Sequence, residues 1–217
     1  TSKFNLVNIY RQNLMNKEIK LAFDNSISLM LSDGMKSSGK IKGYKKSLKL
    51  TALENNGNRG EIGFDYLGGQ KAYCFVMFGW SLQFSEYLKT IAPPYKSNVP
   101  EGFDHHFGMS TIMENRGVYS RSDGTISLPI RLDQIDEIIA HIQGTLNDFY
   151  LPWLDRFINF SPDLIGDIVK RPGYYSYPVP LISFILKKNK MKFQDLTIQI
   201  GKTVMKNKIF DTELLNS

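Results

Sequence analysis

Two stretches of this chain hold residue types that could do chemistry. Gly34-Met35-Lys36-Ser37-Ser38-Gly39-Lys40-Ile41 satisfies G-x-x-x-x-G-K, the spacing with which backbone amides and a lysine cradle phosphates. Ile41 stands where Ser or Thr must hold Mg²⁺, however. The residues before Gly34 read as a helix, and Gly43 interrupts the helix that would have to follow. A helix cap leading into a basic loop accounts for the segment. The second stretch is Glu101-Gly102-Phe103-Asp104-His105-His106, where two histidines and an acid could supply metal ligands or an acid/base pair. Adjacent residues on an extended segment point to opposite sides, so both histidines would not share one metal. The remaining histidine, His141, falls on the polar side of its helix. A metal-dependent hydrolase built on Asp104, His105 and His106 is therefore an alternative that predicts bound metal; otherwise no cofactor is expected.

Nucleophiles give no stronger signal. No serine sits in a G-x-S-x-G elbow, and Cys74 lies in the apolar run Ala72–Phe78, where a thiol behaves as a small buried hydrophobe. Asp133, Asp136, Glu137 and Asp163 fall at helix starts, where the macrodipole already favours acids. No catalytic residue can be named, and a non-enzymatic role is the expectation.

Surface chemistry is more informative. Lys36, Lys40, Lys42, Lys45, Lys46 and Lys49 occur in one stretch without an acid, and Lys187, Lys188, Lys190, Lys192, Lys202, Lys206 and Lys208 form a second basic region. Solvated loops explain such runs, and so does an acidic partner. Nucleic-acid contacts favour arginine forks and stacking aromatics, which these lysines lack apart from Tyr44. Nucleic-acid binding through the lysine-rich loops is thus a secondary alternative. Tyr174, Tyr175 and Tyr177 lie between Pro172 and Pro178, where aromatics with polar tips suit either a recognition surface or packing over helices. The candidate partner-binding residues are Lys42, Tyr44, Lys45, Lys46, Tyr174, Tyr175 and Tyr177.

The elements that must position these residues follow from pattern. The chain has 217 residues, a net charge of 27 − 21 = +6, 42% apolar and 22% charged residues, which excludes disorder, collagen-like repeats and rods. One cysteine excludes a disulfide framework. No run of about 18 apolar residues would span a membrane, Thr1–Lys20 lacks a signal-peptide core, and a cytoplasmic setting is the simplest expectation. The start at Thr1 leaves room for an upstream segment. Asn16 reads as the cap of a helix with Ile19, Phe23, Ile27, Met30 and Leu31 on one face, ended by Gly34.

Period-two alternation then marks strands at Leu48–Ala52 and Ile62–Tyr66, joined across Asn55-Asn56-Gly57-Asn58. A third strand from Ala72 to Trp80 reads as central and buried on both faces. Glu86–Asn115 reads as a long loop. Val118-Tyr119 and Ile126–Ile130 read as a hairpin across Asp123-Gly124. Helices follow from Asp133, from Pro152 and from Pro162, with shorter ones over Leu181–Leu186 and Phe193–Met205. The sum is one α+β domain over 1–217, with a helix plus an antiparallel sheet of about five strands in 16–131 and helices packed on one face in 132–210.

That arrangement carries a resemblance. An amphipathic first helix, Gly43-Tyr44-Lys45-Lys46-Ser47-Leu48, a meander ending in Phe75-Val76-Met77-Phe78-Gly79, and a helix leading to Leu151-Pro152-Trp153 are similar to a group of bacterial α+β domains. That group resembles immunity proteins of polymorphic and contact-dependent toxin systems. The resemblance spans roughly residues 16 to 205 and transfers no catalytic residue. It implies a protein that binds and neutralises a cognate toxin domain, with the Glu86–Asn115 segment unmatched.

Overall fold

The computed structural model describes residues 2–34, 41–44, 47–100, 105–110, 121, 123–197, 200–201 and 204–217. The architecture is α+β, with an N-terminal helix, an antiparallel sheet and C-terminal helices, as expected. In chain order the described elements are α1 (Ser2–Gly34), β1 (Ile41–Tyr44), β2 (Ser47–Asn55), β3 (Asn58–Leu67), β4 (Ala72–Ser81), α2 (Leu82–Ile91), β5 (Phe107–Ser110) and β6 (Ile126–Ser127). They continue as α3 (Ile135–Thr145), α4 (Leu151–Ile158), α5 (Leu164–Lys170), α6 (Pro178–Lys188) and α7 (Lys208–Asn216). The sheet runs β1-β2-β3-β4-β5, and β6 also pairs with β4. β4 takes β5 along Val76–Gly79 and β6 at Ala72 and Tyr73.

The chain forms two compact units, Thr1–Leu50 with Gly63–Phe75 and Thr111–Phe149, and Thr51–Ile62 with Val76–Ser110 and Tyr150–Ser217. Strands β2, β3 and β4 each run through both. In the first unit, Ile19, Phe23, Ile27 and Met30 are buried along one face of α1, as their spacing requires. Phe23 meets Tyr73 edge-on, with ring centroids 5.2 Å apart, and Phe64 stacks on Tyr73 at 4.9 Å. Ile135, Ile138, Ile142 and Leu146 make the matching stripe of α3, which packs on α1.

In the second unit β4 sets the geometry. Its alternate residues Phe75, Met77, Gly79 and Ser81 are buried, whereas Cys74, Val76, Phe78 and Trp80 are half-buried. The strand is central, but only one of its faces is sealed; this corrects the expectation of burial on both. Arg59 lies over the Trp80 ring at 5.1 Å and His105 beside Phe78 at 4.9 Å, so long side chains cover the half-buried face. On the sealed face Gly79 admits the ring of Phe157. A Cβ at Gly79 would come 2.4 Å from the nearest ring carbon. Around Phe157 gather Phe107 at 5.5 Å and Phe160 at 6.0 Å, and Trp153 donates its indole N–H to the Tyr175 hydroxyl at 3.2 Å.

Several local expectations need correction. α1 starts at Ser2, not near Asn16, and Gln12–Glu18 continue the helix as a segment exposed at every position. Leu82–Ile91 is a helix capped by Ser81, whose hydroxyl accepts from the Phe84 amide at 3.0 Å, and Phe107–Ser110 is a strand; both fall across the region read as loop from Glu86. β6 is two residues long, and Leu128–Ile130 lie beyond it; Val118-Tyr119 lies outside the described residues. Asp133 does not cap α3: Leu132–Gln134 form a 3₁₀ turn, and Asp133 bonds Arg131 at 2.9 Å instead. Pro162 precedes α5 by one turn of chain, with Asp163 as its cap position. The helix expected over Phe193–Met205 is a single 3₁₀ turn at Phe193–Asp195, and α7 starts further on, at Lys208. The Asn55–Asn58 turn does form as read. Asn56 at φ 48° and Gly57 at φ 78° make the two-residue hairpin that needs positive φ at both positions.

The close approach at Gly79 gives a first prediction. Gly79→Ala forces the Phe157 ring or the α4 backbone to move, and overpacking of that kind costs about 1–3 kcal/mol. Urea unfolding should show a lower midpoint with an unchanged slope; an unaltered midpoint would show that α4 does not rest on β4 in this way.

Candidate functional site

The paired histidines are held separately. His106 donates its backbone N–H to the Gly79 carbonyl at 2.8 Å and accepts at its own carbonyl from the Ser176 N–H at 2.8 Å. Its ring Nε2 lies 2.8 Å from the Ser85 hydroxyl and its Nδ1 3.4 Å from the Ser176 hydroxyl, with Phe84 edge-on at 5.0 Å. His105 turns to Phe78 instead. Asp104 lies outside the described residues. Among the described residues no three His, Cys, Asp or Glu side chains gather closely enough to hold a metal ion.

Ser85 beside His106 has the distance of a nucleophile and its base, so the direction of the bonds matters. The Ser85 hydroxyl is also 2.8 Å from the Ser81 carbonyl, which can only accept. The assignment that serves every group sends the Ser85 proton to Ser81 and the Nε2 proton to Ser85, and lets Ser176 donate to Nδ1. A general base needs its lone pair toward the hydroxyl, the opposite arrangement. The pattern joins α2, β5 and the 176 turn into one hydrogen-bonded chain.

The lysine and tyrosine candidates are distributed. Lys42 and Tyr44 lie on β1, an edge strand, and pair in register with Lys49 and Ser47 of β2. Lys45 and Lys46 lie outside the described residues. Tyr174 closes a 3₁₀ turn and is half-buried. Tyr175 has 0% exposure, is held by Trp153 and packs at 5.2 Å from Phe107, which corrects its assignment to a contact surface. Its ring fills the core because the flanking turn points it at β5. Tyr177 is half-buried, 6.1 Å from Tyr95. Lys42 and Tyr44 belong to the first unit, and Tyr174, Tyr175 and Tyr177 to the second.

Two features escaped the sequence reading. One is Asp211, fully buried and bonded by the Tyr95 hydroxyl at 2.6 Å, the Lys206 amide at 2.8 Å and the Asn207 amide at 3.0 Å. The spacing Asn207-x-x-x-Asp211 at the start of α7 was its only signal. The other is the outer face of α1. Leu14, Leu21 and Leu29 are 43%, 63% and 65% exposed, and Met15 is 44% exposed. Leu14 and Leu21 are seven residues apart, so they stack on one side of the helix, roughly opposite Ile19, Phe23 and Ile27. Leu14 and Met15 precede the expected cap at Asn16, and Leu21 and Leu29 fall outside the spacing of the packed face. No helix among the described residues is long and apolar enough to cross a membrane. Compared with protein-family models, curated proteins and solved structures, the chain matches none.

Buried phenols dominate the titration behaviour. Burial, reinforced by Asp24, pushes the Tyr73 hydroxyl far above its ordinary value, and burial with Asp211 does the same to Tyr95. Burial alone is the main cause at Tyr175. Burial and Asp65 raise the Cys74 thiol to about 11. Unfolded tyrosines lose their protons near pH 10 whereas these three keep theirs in the folded chain, so the folded state binds more protons above that pH. Stability should therefore be full below about pH 10 and fall above it, by at most about 1.4 kcal/mol per pH unit for each phenol. In an absorbance titration at 295 nm, at least Tyr73, Tyr95 and Tyr175 of the eleven tyrosines should ionise only as the circular dichroism signal is lost. Ionisation of all eleven in a native protein would contradict these environments.

Proposed function

We propose that this protein acts by binding another protein, and that the partner is a toxin domain it neutralises in the manner of a bacterial immunity protein. The observation that supports binding is the outer stripe of α1, where Leu14, Leu21 and Leu29 stand exposed on a helix already anchored by its other face. Exposed leucines on the side of a helix turned from its packed face offer apolar area for a partner to cover. The toxin identity rests on the resemblance carried by residues 16–205. An inhibitor of this kind works by covering its target, so it requires complementarity and no catalytic group. The setting such a role implies is cytoplasmic. The lysines of β1 and β2 would favour an acidic rim around the contact.

A second reading, nucleic-acid binding, rests on the lysine-rich composition of residues 36–49, and such a complex would show an affinity that falls steeply with salt.

Coexpression with the toxin encoded beside it should yield a complex that survives gel filtration. Leu14→Glu with Leu21→Glu should weaken that complex about 100-fold or more, since burial of each leucine is worth about 1.5–3 kcal/mol, while helix content by circular dichroism stays the same. A complex unchanged by both substitutions would remove α1 from the interface, and the absence of any complex would remove the toxin reading.

A further inference from the structure

The tip of the hairpin between β2 and β3 carries a chemistry that neither the α1 surface nor the histidine chain uses. Asn56-Gly57 is the one Asn-Gly step in the sequence. Glycine after asparagine leaves the next backbone nitrogen open to the asparagine side chain, because no Cβ blocks the approach. Three asparagines share this turn, and they are held differently. Asn55 donates from Nδ2 to the Asn159 Oδ1 at 2.9 Å, and Asn58, 1% exposed, donates to the Ile158 carbonyl at 2.7 Å. Asn56 is exposed, and its side-chain amide has no hydrogen-bond partner among the described residues. Gly57 is exposed as well. The bond that closes a β-turn joins its first and fourth residues, so the Gly57 N–H is not committed to it. The Gly57 carbonyl accepts from the N–H of Leu82, the first residue of α2, at 3.3 Å.

We propose that Asn56 is a site of spontaneous covalent modification, at which the chain closes on itself across Asn56-Gly57 and reopens as an acid. The Gly57 backbone nitrogen attacks the Asn56 Cγ and forms a new C–N bond. It gives up its proton, and the Asn56 side-chain nitrogen leaves as ammonia. Water then adds to one of the two carbonyls of the five-membered imide and breaks one C–N bond. Opening at the side-chain carbonyl leaves an aspartyl residue in a normal backbone. Opening at the main-chain carbonyl leaves an isoaspartyl linkage, in which the chain runs through the side chain. Either product adds one negative charge, so the net charge falls from +6 to 6 − 1 = +5. Ring closure needs the Asn56 torsions to rotate until nitrogen and Cγ meet, so the reaction passes through local opening of the turn. Opening a hairpin tip costs far less than global unfolding, and here it gives up the contact with Leu82. Asn55 and Asn58 would first have to release their bonds to residues 159 and 158. The isoaspartyl product has one more backbone atom, which a two-residue turn with φ of 48° and 78° cannot take without changing type. That product therefore draws the Gly57 carbonyl away from Leu82 and loosens the start of α2. The site is independent of the α1 surface, so either reading can fail alone.

The test incubates the full chain at mildly alkaline pH, samples it over weeks and digests it with trypsin, which releases residues 50–59 as one peptide. Mass spectrometry with fragmentation locates each converted asparagine, and ion exchange separates the more acidic species. Asn56 should convert at least tenfold faster than Asn55, Asn58 or Asn25, the last an exposed asparagine followed by serine. The rate should rise with pH, since the attacking nitrogen must shed its proton. Asn56→Gly keeps a Gly-Gly turn that accepts the same backbone, and it should abolish the acidic species in a chain that folds normally. The isoaspartyl fraction should unfold at a lower urea concentration than the unconverted one. Conversion no faster at Asn56 than at the other three, an equal amount of acidic species from Asn56→Gly, or a native chain still intact at Asn56 after its unfolded counterpart has reacted would each overturn the proposal. An isoaspartyl fraction with an unchanged urea midpoint would overturn the loosening of α2.

Discussion

The second unit depends on one contact, the ring of Phe157 laid against the bare backbone of Gly79. A strand residue with a side chain would hold α4 away from β4, whereas glycine lets the helix descend until ring and backbone touch. The packing beyond depends on that depth. Phe107 on the neighbouring strand reaches Phe157 and Trp153, and Trp153 in turn fixes the Tyr175 hydroxyl. Asn58 donates to the Ile158 carbonyl at 2.7 Å, which ties β3 to the end of the same helix. Even the histidine chain shares the location, since His106 donates its backbone N–H to the Gly79 carbonyl.

A second constraint is polar. A carboxylate without solvent costs several kcal/mol unless its lone pairs are met, and Asp211 is met three times. Two of those donors are backbone amides just ahead of α7, so the residue fixes where the helix begins as well as where it packs. The third is Tyr95, whose own ring lies against Phe210. The Pro93-Pro94 segment is thereby anchored to the C-terminal helix, although its sequence carries no regular pattern. Because α7 packs on α6 through buried residues that include Leu214, the seat of that helix follows from a hydrogen-bonded aspartate at its start.

How much of this was legible in the sequence varied with the physics. Elements whose residues repeat at one period were legible: the meander, the Asn56-Gly57 turn, the α3 stripe and the lower half of α1 all follow from local spacing. α2 was not, because its one buried residue, Phe84, gives no stripe to count. β5 was hidden for a related reason: four residues are too few to show alternation, and the strand exists because β4 offers it an edge. The histidines were visible as residue types, but their partners Ser85 and Ser176 are 21 and 70 positions away. Tyr175 was misplaced on the surface because loop tyrosines look alike until a neighbouring indole selects one of them.

The upper half of α1 raises the sharpest question of energetics. A helix of 33 residues is about 50 Å long, and among its described side chains the packed ones begin at Ile19. The seven residues from Gln12 to Glu18 are exposed throughout, and a helical segment without tertiary contacts is marginal in water. Continuity with the packed half lowers the cost, since propagation needs no new nucleus. It does not explain the leucines. Polar residues would carry such an extension equally well and would not expose Leu14, Leu21 and Leu29 to solvent. One stripe is spent on the fold. The other is stabilising only when something apolar covers it, and that asymmetry is the physical basis for treating α1 as a surface that waits for another molecule.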